Sequence, residues 1–168
     1  MSIKAAQEKL IAIFKRRPSA ARSSGGTQVH LSNGMCCEVT EGNFQMISDQ
    51  PEAMGGGDEG PGPGFLGRAA LGTCIAQGYA IVFARSELSF RSINVDVKGE
   101  MDMRGLLGMD EAIAAGYEHV RYVIRIESDE SEEDLNAAMA IADQRSPWLY
   151  NMANAIPIER EVTVSKVS

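Results

Sequence analysis

Residues 55–86 read GGGDEGPGPGFLGRAALGTCIAQGYAIVFARS, and how this stretch folds decides the rest. Its first ten residues contain six glycines, two prolines and two acids with no periodicity. Such a segment is a loop ordered only by what it touches. The residues after it have the opposite character: from Phe65 to Ala84 the only charge is Arg68, and apolar residues fall on nearly every face. That pattern predicts a helix over about 63–86, buried on all sides. Gly67, Gly72 and Gly78 lower its helix propensity but let neighbouring backbone approach closely, a trade that makes sense only inside a core.

The chain has 168 residues, enough for one domain with a real core and a short appendage. A hydrophobic fraction of 44% with 23% charged residues is ordinary for a soluble protein, and a net charge of -7 argues against a nucleic-acid surface, which needs a basic stripe. The uncharged run Ala69–Ala84 is 16 residues, short of the ~20 a membrane helix requires, so no membrane association is expected. The first 24 residues lack the apolar core and cleavage site of a secretory signal; their basic, amphipathic character leaves an organelle-targeting segment as the alternative. Cys36, Cys37 and Cys74 form neither a metal-binding spacing nor an even disulfide framework. The expectation is a cytoplasmic protein with no metal and no cofactor.

Working outward towards the N-terminus, Ile3, Ala6, Leu10, Ile13 and Phe14 share a helical stripe, with Ser2 as N-cap and Pro18 as stop. This arm and the linker after it occupy 1–24, ahead of a domain over 25–168. From Thr27 to Ser48 the period changes to two, with Asn33-Gly34 reading as a two-residue hairpin turn and Glu41-Gly42-Asn43 as a second turn. The expectation is a three-stranded meander, with Cys36 and Cys37 adjacent on its second strand, one in the core and one exposed.

Beyond the helix, Leu88–Gly99 reads as a strand with a bulge near Arg91-Ser92, since Leu88 and Phe90 fall on one phase and Ile93, Val95 and Val97 on the other. A short helix over 110–115, capped by Asp110, comes next. Val120, Tyr122, Ile124 and Ile126 alternate with Arg121 and Arg125 in a second strand. Ser131 then caps a helix whose first turn carries Glu132, Glu133 and Asp134; Pro147 opens a short helix, and Ile156–Val164 reads as the final strand. Strands segregated from helices indicate α+β. One small sheet cannot bury a nearly all-apolar helix, so an obligate dimer packing two copies of it is expected.

The string ISDQPEAMGGGDEGPGPGFLGRAALGTC (47–74) and the ending RSPWLYNMANAIPIEREVTV (145–164) together resemble the OsmC/Ohr superfamily of osmotically inducible and organic hydroperoxide resistance proteins. Asp49, Pro51, Gly55, Gly56, Asp58, Gly60, Pro61, Pro63 and Cys74 look like matches, and the likeness runs from about Gly26 to Val164. It implies an intertwined homodimer with two long central helices wrapped by antiparallel sheets, and a site at the dimer interface. In peroxidase members of the family it resembles, the central-helix cysteine attacks an organic hydroperoxide, an arginine and a glutamate hold its thiolate ready, and the cysteine of a Cys-Pro pair resolves the sulfenic acid.

Carried onto this chain, Cys74 occupies the peroxidatic position. Ser146-Pro147 stands where the Cys-Pro pair would be, and Gly64 where the glutamate would be. Arg22 is the only arginine between Arg17 and Arg68, which makes it the candidate for the activating position. Arg68 is six residues from Cys74, about 240° round the helix, and is not expected to face it. Two readings are open. One is a thiol-dependent peroxidase acting on organic hydroperoxides through Cys74, with Ser146 beside it and an external thiol, or Cys36 or Cys37 as a substitute, to resolve the sulfenic acid. The other is a non-catalytic dimer that binds a small apolar ligand at its interface, Cys74 serving as a small buried hydrophobe. A hydrolase built on Ser146 and His119 lacks both an elbow glycine pattern and an orienting acid.

Overall fold

The computed structural model describes residues 1–166, so the last two residues of the 25–168 domain lie outside it. Helix α1 (Ile3–Arg16) comes first, with the Ser2 side chain accepting the Ala5 N–H at 3.2 Å. Strands β1 (Gln28–Leu31), β2 (Cys37–Glu41) and β3 (Phe44–Ser48) form an antiparallel sheet in that order. Helix α2 (Pro63–Arg85) comes next, then β4 (Ser92–Glu100), a short α3 (Met103–Leu106), β5 (His119–Glu127), α4 (Glu132–Asp143) and α5 (Pro147–Ala153). β4 and β5 pair antiparallel in a second sheet, Ser92 opposite Glu127 and Glu100 opposite His119. The architecture is α+β, as the pattern of elements predicts.

The core is one stripe of α2. Leu71, Ile75, Tyr79 and Phe83 recur every fourth residue, so they stack on a single face, and each is at most 1% exposed. Ile93, Val95 and Val97 of β4 and Val120, Tyr122, Ile124 and Ile126 of β5 pack against them from the sheet, and Ala138 and Ala142 from α4. The Tyr79 hydroxyl, carried into this interior, donates to Asp143 Oδ1 at 2.8 Å. Burial first, and then that carboxylate, push the phenol far above its ordinary pKa.

Burial on all sides does not occur within one chain. Thr73 and Gln77 are exposed, and Ala69, Ala76 and Ala80 only half-buried. The solvent-accessible surface is 13111 Å² for an 18.1 kDa chain, against about 8,100 Å² expected for a compact monomer of that mass. By length and composition α2 could cross a bilayer, a test that the core helices of soluble proteins also pass.

Five local expectations are corrected. Asn33-Gly34 lies in a five-residue connection, because Leu31 pairs with Cys37; Gly34 supplies its single positive φ, 63°, where a two-residue type I′ turn needs two. Cys36 therefore sits in that loop, and both cysteines are half-buried. Leu88 and Phe90 belong to the turn after α2, so the change of phase is where β4 begins and not a bulge. The short helix is α3, nucleated by Asp102, whose carboxylate accepts the Arg104 N–H and grips its guanidinium; residues 110–116 form a turn and bends without a helix. Finally, Ile156–Val164 pairs with no strand among the described residues. A strand exists only by hydrogen bonding to a neighbour, and here Ile158 and Val164 stand 88% and 86% exposed.

Candidate functional site

The loop before α2 is held by one carboxylate. Asp49, 2% exposed, accepts the N–H groups of Gln50 (2.7 Å), Gly57 (2.8 Å) and Glu59 (3.3 Å). Ser48 adds a hydroxyl bond to Pro61 O at 2.9 Å. Close approach explains two of the glycines: a Cβ on Gly56 would lie 1.8 Å from Gln50 O, and one on Gly60 2.5 Å from Ile47 O. The loop delivers Pro63 to the first helical position, where its missing N–H costs nothing.

Burial alone would push the Asp49 carboxyl up, but the three backbone donors outweigh it and hold the group below its ordinary value. A depressed folded-state pKa contributes stability that is fully present above the unfolded value of about 3.9 and is lost as pH falls through the folded one. Asp49→Asn is therefore expected to lower the melting temperature at pH 7 and to flatten its decline below about pH 4. Circular-dichroism melts from about pH 2.5 to 7 test this; acid limbs of equal slope in both proteins would contradict it.

Three turns into α2, half-buried Cys74 points its sulfur at Ser146, with Sγ and Oγ 3.4 Å apart. Ser146 is buried, 5% exposed, because it caps α5, its Oγ accepting the Leu149 N–H at 3.4 Å. Pro147 at the first position of α5 pins that cap. An ionised sulfur can only accept, so against a Cys74 thiolate the Ser146 hydroxyl is the donor. The contact joins residues 72 apart in sequence.

No arginine completes the constellation among the described residues. Arg22 is exposed in the linker ahead of β1 and makes no side-chain bond to Cys74. Arg68 turns away, its Nη1 donating to the Tyr117 hydroxyl at 2.9 Å, while Tyr117 donates to Gly64 O at 3.2 Å. The guanidinium occupies the side of the helix where a residue larger than Gly64 would project, 3.2 Å from a Cβ built there. Sequence reasoning does not reach Tyr117. Its signal is Gly99, inside β4, where a Cβ would meet the Tyr117 ring at 2.4 Å; a glycine within a strand often marks such an approach.

A long helix packed on one antiparallel sheet, with a second sheet elsewhere in the chain, presents one cysteine to a proline-opened helix, an α+β architecture with a thiol at a helix junction. The family described as OsmC-like protein matches residues 55–161, well over half of the chain, and the chain belongs to that family. No curated protein matches it by sequence. Among solved structures it is similar to an OsmC-like protein from Mycoplasma pneumoniae, with 15% identity, 78% of this chain and 88% of that one covered, and a TM-score of 0.67. An organic hydroperoxide resistance protein OsmC from Legionella pneumophila aligns at 15% identity over 79% and 90% of the chains, TM-score 0.57. One from Elizabethkingia anophelis aligns at 16% identity over 77% and 88%, TM-score 0.58. At these identities the structural likeness speaks for the fold.

Proposed function

We propose that this protein is a thiol-dependent peroxidase of organic hydroperoxides that works through Cys74 without an internal resolving thiol. The observation that carries the reading is the Cys74–Ser146 contact at 3.4 Å, at the join of α2 and α5 in a chain of the OsmC-like family. Several solved relatives of the fold are named organic hydroperoxide resistance proteins. In the proposed reaction the Cys74 thiolate attacks one peroxide oxygen. The O–O bond breaks, the alkoxide takes a proton and leaves as the alcohol, and Cys74 becomes a sulfenic acid. An external thiol condenses with it, releasing water, and a second thiol displaces Cys74 from that mixed disulfide. Ser146 donates its hydroxyl hydrogen to the thiolate before attack.

Single-turnover mixing with cumene hydroperoxide tests this. The expected result is one oxygen added at Cys74 within minutes, read by mass spectrometry, and none in Cys74→Ser. A Cys74 thiol that survives would sink the peroxidase reading and favour a ligand-binding protein without catalysis.

The active form we propose is a homodimer. Its support is the excess exposed surface, the segment around Ile158 and Val164 that pairs with no strand among the described residues, and the side of α2 left exposed at Thr73 and Gln77. A second copy could bury all three and bring an arginine to Cys74. Light scattering on the eluting protein is expected to give about twice 18.1 kDa; a monomer mass at micromolar concentration would contradict it.

A further inference from the structure

A cavity of about 690 Å³ lies between the loop at 50–54, the first turns of α2 and the segment 101–117. Its volume falls in the range of small-molecule sites. Met54, Phe65, Met101 and Met103 make most of the wall apolar; its polar side chains are Gln50, Arg68 and Tyr117, the last two hydrogen-bonded to each other. The cavity is built within one chain. Cys74 is not among the residues that line it.

Arg68 is the feature that structural duty leaves unexplained. Arg104 and Arg125 are exposed and each holds a carboxylate, Asp102 and Asp96. Arg68 is half-buried, yet its side-chain partner among the described residues is a neutral phenol. A buried guanidinium is normally matched by an anion, and its planar fork suits a carboxylate in two parallel bonds. The first turn of α2, which has no side-chain cap, contributes Pro63, Gly64 and Phe65 to the same wall. One cation in a mostly apolar chamber fits an amphipathic monoanion.

We propose that this cavity binds a medium-chain monocarboxylate, its carboxylate on Arg68 and the Tyr117 hydroxyl and its alkyl chain among the methionines. The site goes beyond the Cys74 reading and does not depend on it. Isothermal titration calorimetry with sodium decanoate is the test, run on the full chain and on Cys74→Ser. Saturable binding is expected in both proteins, so a failed peroxidase assay leaves this result standing. Arg68→Met is expected to weaken binding at least tenfold, and decan-1-ol to bind at least tenfold more weakly than decanoate. Gly64→Glu sets a tethered carboxylate beside the guanidinium, in a helix first turn that tolerates it, and is expected to abolish binding with the fold intact. That variant speaks even where Arg68→Met does not fold. Decanol binding as tightly as decanoate, an unchanged affinity in Gly64→Glu, or no saturable heat up to about 1 mM ligand would each overturn the proposal.

Discussion

Ser146→Cys is expected to form a disulfide with Cys74 almost completely on mild oxidation. The oxygen it replaces lies 3.4 Å from the Cys74 sulfur, and a disulfide needs about 2.05 Å with a near-perpendicular dihedral. The longer C–S bond and a modest side-chain rotation bring the two atoms together without moving either helix axis. The substitution removes the cap that accepts the Leu149 N–H, so the reduced variant loses about 1 kcal/mol; cross-linking a loop of this length returns several times that. Intact-mass spectrometry should show the loss of two hydrogens, absent when Cys74 is also replaced by alanine, which excludes Cys36 and Cys37. The consequence for turnover is larger. A thiol at this point captures the sulfenic acid within the molecule, so repeated cycles with a dithiol reductant should run faster than in the natural protein and overoxidation of Cys74 should fall. Failure to form the disulfide would mean that Cys74 and residue 146 do not meet in solution as they do here.

Gly56→Ala is expected to lower stability by about 4 kcal/mol, among the larger effects a single methyl group can have. A Cβ there would sit 1.8 Å from Gln50 O, 2.5 Å from its carbonyl carbon and 2.8 Å from Asp49 Oδ1. Two of these atoms are backbone and cannot swing aside. The loop must open, and with it go the Gly56 N–H bond to Pro51 O, the Asp58 N–H bond to Gln50 O and the bonds converging on Asp49. For a domain of this size the melting temperature should fall by about 10 °C. Gly26→Ala is the control: nothing lies within 4 Å of its Cβ, and its effect should stay within about 0.5 kcal/mol. A Gly56→Ala protein melting within about 2 °C of the natural one would show that the loop has a second arrangement of equal stability.

Much of the fold is legible in the chain because its signals are local. Pro18 and Ser2 bound α1, alternation from Val120 to Ile126 makes β5, and Ser131 ahead of three acids starts α4. The caps rest on bonds among near neighbours and the alternation on which side chains share a face, both of which a sequence states directly, although β5 still needs β4 beside it. The candidate site is half legible. Cys74 and Ser146 can be paired only through a family likeness, because no local rule joins residues 72 apart. The pairing of Arg68 with Tyr117 is out of reach, since it depends on how the segment 101–117 folds back over α2.

By itself, then, the sequence determined a helix over about 63–86, since a largely apolar stretch of that length behind Pro63 is too long for a strand. It determined too that a glycine-dense loop must precede that helix. Only the tertiary structure decided which face of the helix this chain covers, the stripe from Leu71 to Phe83, and which it leaves bare. The physical reason is that helix formation depends on bonds four residues apart, whereas burial depends on surfaces supplied by β4, β5 and α4 from far along the chain.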